Sequence, residues 1–165
     1  MAVSTYLKLR GEWVETGTDT GIRVPLANHV KEYILNLATG TGANQADLIW
    51  SNTRSLATTT EDLNLDATLT DSFGAAITWV EITGMLFIVN TTTSGVYIKV
   101  GGKGATAFFT WAKTNADFVK VGPGGCFLLT SPVDGYAVTA STADILQIES
   151  VGTASYTVVL WGRSA

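Results

Sequence analysis

The feature that most constrains this chain is a repeated alternation of apolar and polar residues that begins near residue 46 and continues to the C-terminus. Leu63 and Leu65 alternate with acidic and amide residues, and Ile98 and Val100 flank Lys99. A period of two residues indicates a β-strand with one buried face. Such runs recur at intervals of about 8 to 12 residues, which is the spacing typical of a sandwich or barrel.

Segments rich in glycine separate these runs, and their composition is typical of turns. They lie at residues 101–104, 122–125, 132–135 and 151–153. The pattern therefore predicts a mostly β fold, an antiparallel β-sandwich of eight or more strands over residues 43–165. The run at residues 107–111 is among the strands that the pattern predicts.

Composition excludes several classes of protein. With 46% hydrophobic and 15% charged residues in 165, the chain is predicted to fold as a single unit rather than to be disordered. A net charge of -4 argues against nucleic acid as a partner. No window approaches 18 uninterrupted apolar residues, and the first residues lack the basic-then-apolar order of an export signal, so neither a membrane partner nor export is expected.

Residues 1–42 differ in pattern from the rest and are predicted to form an N-terminal arm. Two short strands are expected around Gly11. Pro25 then precedes apolar residues at offsets of 0, 4, 7, 8, 11 and 12 from Leu26, a spacing that predicts one helix over about residues 26–38, ended by Gly40.

Three residues of this arm are predicted to be contacts with a partner. Leu35 lies opposite the apolar stripe of the predicted helix, so its side chain is expected to point away from the core. Trp13 and Val14 are large apolar residues in the preceding segment. We therefore expect Trp13, Val14 and Leu35 to form an attachment surface.

Residues 85–89 are apolar on both faces of the strand that they are predicted to form. A strand of this kind needs cover on each side. The mean hydropathy of +0.26 also indicates apolar surface that assembly would bury. The chain is therefore expected to self-associate, with a trimer favoured.

No arrangement of reactive residues predicts an enzyme, a metal site or a cofactor. Residues 62–66 resemble the start of a calcium loop, but Ala67 and Phe73 occupy the places where that loop needs Gly and Glu. The single histidine, His29, and the single cysteine, Cys126, provide neither a zinc cluster nor a nucleophile with a recognisable base. A pair of glycosidase carboxylates leaves no spacing signature and stays open at this point.

Several stretches of the body are similar, in order and spacing, to small virion structural proteins of tailed bacteriophages. They are residues 46–57, 61–65, 69–74, 100–102, 121–125, 135–146 and 156–164. Within that class, the closest resemblance is to jelly-roll decoration (cement) proteins on the capsid exterior, which are often trimers. The resemblance covers residues 46–165 and not the arm.

The resemblance implies a non-enzymatic structural protein of the virion, assembled in the host cytoplasm. It further implies a jelly-roll-like sandwich that binds and stabilises the phage head, with the major capsid protein or another virion protein as partner. Two alternatives remain at this stage: a component of the tail, neck or head fibre, and a sandwich module that binds a receptor or carbohydrate.

Overall fold

The computed structural model describes residues 5–16 and 26–165, and this part of the chain consists of antiparallel β-strands without a helix. The prediction of a mostly β, antiparallel protein is confirmed. No described helix is long and apolar enough to span a membrane. The strands are β1 (Thr5–Thr16), β2 (Leu26–Leu37), β3 (Leu48–Ala57), β4 (Thr60–Asn64), β5 (Asp66–Thr70), β6 (Ala76–Thr78), β7 (Glu81–Val89), β8 (Tyr97–Gly101), β9 (Phe118–Val121), β10 (Cys126–Thr130), β11 (Tyr136–Ala137), β12 (Ile145–Val151) and β13 (Thr153–Arg163).

Two sheets form the body of the protein. One has the order β10-β7-β13-β3, with β11 also paired to β7, and the other has the order β4-β12-β8-β9. Strands β5 and β6 form a small separate pair, as do β1 and β2. The long central strand β13 pairs with β7 on one side and β3 on the other, which leaves β3 at the edge of its sheet.

The two sheets share one hydrophobic core. Alternate residues of β7 and β13, such as Met85, Phe87 and Tyr156, have no exposed surface, and they belong to the same buried cluster as Leu146 and Ile148 of β12. This is the burial that the period of two residues predicts, because successive strand side chains point to opposite faces. A single core to which both sheets contribute side chains is the packing expected of a sandwich.

The predicted helix over residues 26–38 is wrong, because residues 26–37 form strand β2. Offsets 0, 4, 8 and 12 are even numbers, so they also fall on one face of a strand, while offsets 7 and 11 fall on the other face. The apolar spacing therefore fits a strand that is apolar on both faces. Pairing with β1 over twelve residues decides between the two structures.

The expectation of two short strands around Gly11 is also wrong. Strand β1 runs without interruption from Thr5 to Thr16, and Gly11 lies opposite Lys31 in the ladder. The predicted strand over residues 107–111 is reduced to an isolated bridge between Ala107 and Ile145. Pro25, the residue predicted to open the helix, lies outside the described residues.

The outer face of β7 receives cover from within the chain. Leu86 packs in a second, smaller cluster, to which residues of β2 contribute, and Ile88 beside it is 38% exposed. The predicted need for cover on this face is therefore met in part by the N-terminal strands.

Candidate interaction surface on the N-terminal hairpin

The pair β1 and β2 forms a long hairpin ladder with two chemically distinct faces, and we refer to it as the hairpin. Its register runs from Thr5 opposite Leu37 to Thr16 opposite Leu26. Because directly paired residues share a face, the odd-numbered residues form one side and the even-numbered residues the other. The odd-numbered side, which we call the apolar face, presents Leu7, Leu9, Trp13, Tyr33, Leu35 and Leu37, and it also carries one exposed cation, Lys31, opposite Gly11.

One end of the apolar face, the base of the hairpin, is packed on the body. Leu35 and Leu37 are 7% and 2% exposed and are grouped with Ala46 and Trp161. The half-buried residues beneath them, Leu86, Leu128 and Val159, come from three neighbouring strands of the five-stranded sheet. The base therefore covers the outer face of that sheet.

A glycine allows the indole of Trp161 to lie flat against β7 at this contact. A Cβ atom on Gly84 would stand 2.3 Å from Cζ2 of Trp161. Any side chain at this position would displace the indole. The contact between the base of the hairpin and the body thus depends on the large Trp161 ring of β13 and on the absence of a side chain at Gly84 of β7.

Further along the same face, the hairpin loses its cover. Leu9, Trp13 and Tyr33 are 52%, 45% and 41% exposed. The Tyr33 hydroxyl lies 3.2 Å from Oγ1 of Thr130, on β10 at the edge of the sheet. From Tyr33 to His29 the ladder extends a further four residues, or about 13 Å at the usual rise of a strand.

An aromatic pair marks this uncovered part, which we call the tip. The rings of Trp13 and His29 stack with centroids 5.1 Å apart and planes inclined by 11°. Stacked aromatic pairs attract one another, so this contact favours one orientation of the indole.

The opposite face of the hairpin, which we call the charged face, combines the exposed side chains of Tyr6, Val30 and Ile34 with charges that neutralise one another. Lys8 pairs with Glu32 at 3.0 Å, and Arg10 contacts both Glu32 and Glu12. The hydrogen bond with Glu32, together with the charge of that carboxylate, raises the pKa of Lys8. Two cations and two anions sum to zero, so this face has no net charge with which to attract a partner.

The three residues predicted as contacts have different positions in the structure. Trp13 lies at the tip and is exposed, as a contact residue must be. Val14 belongs to β1, opposite Asn28, and its side chain lies outside the described residues. Leu35 does not point outward as expected but is buried at the base, because in a strand it shares a face with Leu37.

Sequence reasoning missed Leu9 and Tyr33, which the structure brings together as a directly opposed pair on the apolar face. The sequence does show the alternation of apolar residues that indicates this face, at Leu7 and Leu9 in β1 and at Tyr33, Leu35 and Leu37 in β2. The prediction of a helix concealed it, because a helix places residues two apart on different sides.

No cluster of at least three histidine, cysteine, aspartate or glutamate side chains suited to a metal ion is found among residues 5–16 and 26–165. Asp62, in the stretch that resembles a calcium loop, is bonded instead to Lys103 and to Gln147. Cys126 is exposed, at the start of β10. The hairpin tip is therefore retained as a candidate interaction surface, because Leu9, Trp13 and Tyr33 lie exposed on one face of it.

Comparisons with known proteins add no relative. No protein-family model matches the chain, and neither a curated protein nor a solved structure matches it significantly.

Proposed function

We propose that this protein is a non-enzymatic component of a tailed-bacteriophage virion, a decoration protein that binds and stabilises the capsid through the tip of its hairpin. The single observation that carries the proposal is the apolar face of the hairpin, which continues beyond its base with Leu9, Trp13 and Tyr33 exposed. A two-stranded hairpin is marginally stable in water without further cover. A partner surface, such as the major capsid protein, would provide that cover.

The strand order supports a jelly-roll body, which is the fold that the resemblance implies. Numbering β3, β4, β7, β8, β9, β10, β12 and β13 from one to eight, the two sheets have the orders 1-8-3-6 and 2-7-4-5. These are the orders of a jelly roll, a fold used by viral capsid proteins and also by lectins and cupins. The fold agrees with a capsid role but does not by itself select it.

Stabilisation of the head follows from linkage. A protein that binds the assembled lattice and not its separated subunits shifts the equilibrium towards the lattice. Burial of one exposed leucine or tryptophan contributes about 1.5–3 kcal/mol. Several hairpins on one oligomer would bind the lattice together, and this avidity would raise the overall affinity well above that of a single contact.

The test is to add the purified chain back to virions assembled from the same genome with its gene deleted. In the tip variant, Leu9→Ser is combined with Trp13→Ser, and we expect affinity for the particle to fall at least tenfold with the melting temperature unchanged. The matched control combines Val30→Ser with Ile34→Ser, two residues of the same hairpin that are both 49% exposed on the charged face. Full occupancy by the tip variant would overturn the proposal, and a map of the decorated particle would distinguish head from neck or tail.

Self-association, with a trimer as the favoured state, is the second part of the proposal. Beyond the base of the hairpin, Ile88 and Cys126 are directly opposed on the outer face of the sheet and remain exposed. A head-to-tail contact among three copies closes into a ring and covers such a patch on every copy. Light scattering should give a mass of three chains, and a monomer at micromolar concentration would contradict a preassembled trimer.

A further inference from the structure

A second candidate surface lies along the unpaired edge of β3, on the body and separate from the hairpin. Strand β3 is ten residues long and pairs with β13 on one side. No strand of residues 5–16 or 26–165 pairs with its other side. An edge of this kind presents a row of backbone N–H and C=O groups that a further strand can bond.

Proteins usually protect a long edge with proline, lysine or a bulge. Strand β3 contains neither proline nor lysine, and its ladder with β13 is regular over ten residues. Its one charged residue, Arg54, is paired with Glu61 and lies over the ring of Trp50 at 5.4 Å, so its charge is already engaged. The edge is therefore left open rather than blocked.

Two adjoining clefts run beside the first half of β3, and we call them together the β3 cleft. One, of about 340 Å³, lies between residues 49–52 and residues 70–72. The other, of about 290 Å³, lies between residues 47–49 and residues 75–77 and shares Ile49 and Asp71 with the first. Residues 47–52 of an extended chain cover about 20 Å, which is enough to pair with a strand of about six residues.

The walls of the β3 cleft combine apolar and acidic groups. Ile49, which is 38% exposed, supplies apolar surface, while Asp47 and Asp71 each supply a carboxylate. The two oxygens of Asp47 accept hydrogen bonds from the backbone N–H and the hydroxyl of Ser164, and these neutral donors leave the negative charge of the carboxylate in place. No lysine or arginine is among the residues that line it. Asp71 is held in place because its Oδ1 accepts hydrogen bonds from the backbone N–H groups of Phe73 and Ala75, at 2.8 and 2.9 Å.

We propose that the β3 cleft binds an extended peptide segment of a partner chain, which adds a strand to the edge of β3 and places a basic side chain beside Asp47 and Asp71. Backbone pairing supplies affinity in this mode of recognition, and pockets for alternate side chains supply specificity. The two carboxylates, without a nearby cation in the lining, select lysine or arginine by charge complementarity. The proposal does not depend on the hairpin or on a place in a virion.

The test begins with a displayed library of random ten-residue peptides selected on the full chain. Enriched peptides are expected to contain lysine or arginine and to lack proline at their centre. Their synthetic forms should shift the amide resonances of residues 47–52 and 71–72 in the labelled protein. The same peptides with alternate backbone amides methylated should bind at least tenfold more weakly, because methylation removes the donors that pair with β3.

Two matched variants locate the site. Ser51→Lys places a cation in the β3 cleft and should weaken the basic peptides at least threefold, whereas Ser94→Lys, on an exposed loop outside the cleft, should leave their affinity unchanged. Both replaced residues are exposed, so neither variant should alter the melting temperature. Absence of enrichment, enrichment of acidic peptides, or equal affinity for the two variants would overturn the proposal.

Discussion

The body and the hairpin are built from the same alternation of apolar and polar residues, yet they bury it to different extents. In the body, Phe87 and Tyr156 are fully covered because a second sheet faces them. In the hairpin, Leu37 is covered at the base while Leu9 and Trp13 on the same face are about half exposed at the tip. A period of two residues thus indicates which face of a strand is apolar, but it does not indicate which part of the protein, if any, covers that face.

The largest effect is expected in the body. Phe87→Ala would leave a cavity between the sheets, beside the Tyr156 ring whose centroid is 6.4 Å away, and should cost about 3–5 kcal/mol of unfolding free energy. Urea denaturation measures this loss. The control Phe118→Ala removes a ring that is 51% exposed and should cost far less. Equal losses for both variants would mean that the body lacks the packed core described above.

A smaller, local effect is expected at the base of the hairpin. Leu37→Ala should cost about 2 kcal/mol, at the lower end for a buried leucine, because the cluster beneath it is small. Hydrogen exchange should accelerate in β1 and β2 while β7 and β13 keep their protection. If all four strands lost protection together, the hairpin and the body would form one cooperative unit, and the predicted difference in stability between them would be wrong.

A still smaller effect is expected from the ion pair on the outer face of the four-stranded sheet. Burial by itself would raise the pKa of Asp62, but hydrogen bonds from Lys103 and Gln147 and the charge of Lys103 outweigh it and lower that pKa. The carboxylate therefore contributes stability above its unfolded pKa, near 4, and this contribution disappears as pH falls through the lower folded value.

Lys103→Met should move the pKa of Asp62 back towards its ordinary value and lower the melting temperature at pH 7 by at most about 3 °C, since the pair is partly exposed. The difference between the variant and the wild type should shrink as pH falls through the folded pKa of Asp62, because the carboxylate loses its charge there. Carboxyl resonances and thermal scans measure the two effects. The exposed Lys113, replaced in the same way, is the control. A difference that grew at low pH would contradict the assignment.

The smallest effect on stability is expected at the tip. Trp13→Ala removes a side chain that stacks on His29, is 45% exposed and belongs to neither hydrophobic cluster, so the unfolding free energy should change by less than about 0.5 kcal/mol. Denaturation as for Phe87→Ala measures it. A loss of more than about 1 kcal/mol would place Trp13 in a folded core and would contradict its assignment to the uncovered tip.

Much of the body was determined by the sequence alone. The run at residues 96–100 alternates so regularly that both the strand and its buried face could be predicted, and Ile98 and Val100 are indeed fully buried. The order of the strands could not be predicted. The order depends on which strands pair with each other across more than a hundred residues, as when Trp161 pairs with Ile49. The periodicity of a single strand shows its buried face but not the strand with which it pairs.

The hairpin shows the limit most clearly. Apolar residues at both strand and helix offsets left residues 26–38 open to either structure, and only β1, lying alongside, supplied the twelve paired residues that made β2 a strand. Because β2 is a strand, Leu35 shares a face with Leu37, and both side chains are buried against the body. The local sequence therefore determined the apolar content of the arm, whereas the pairing of its two strands decided its conformation, because twelve residues of backbone pairing with β1 outweigh the weak preference of a short run for helix.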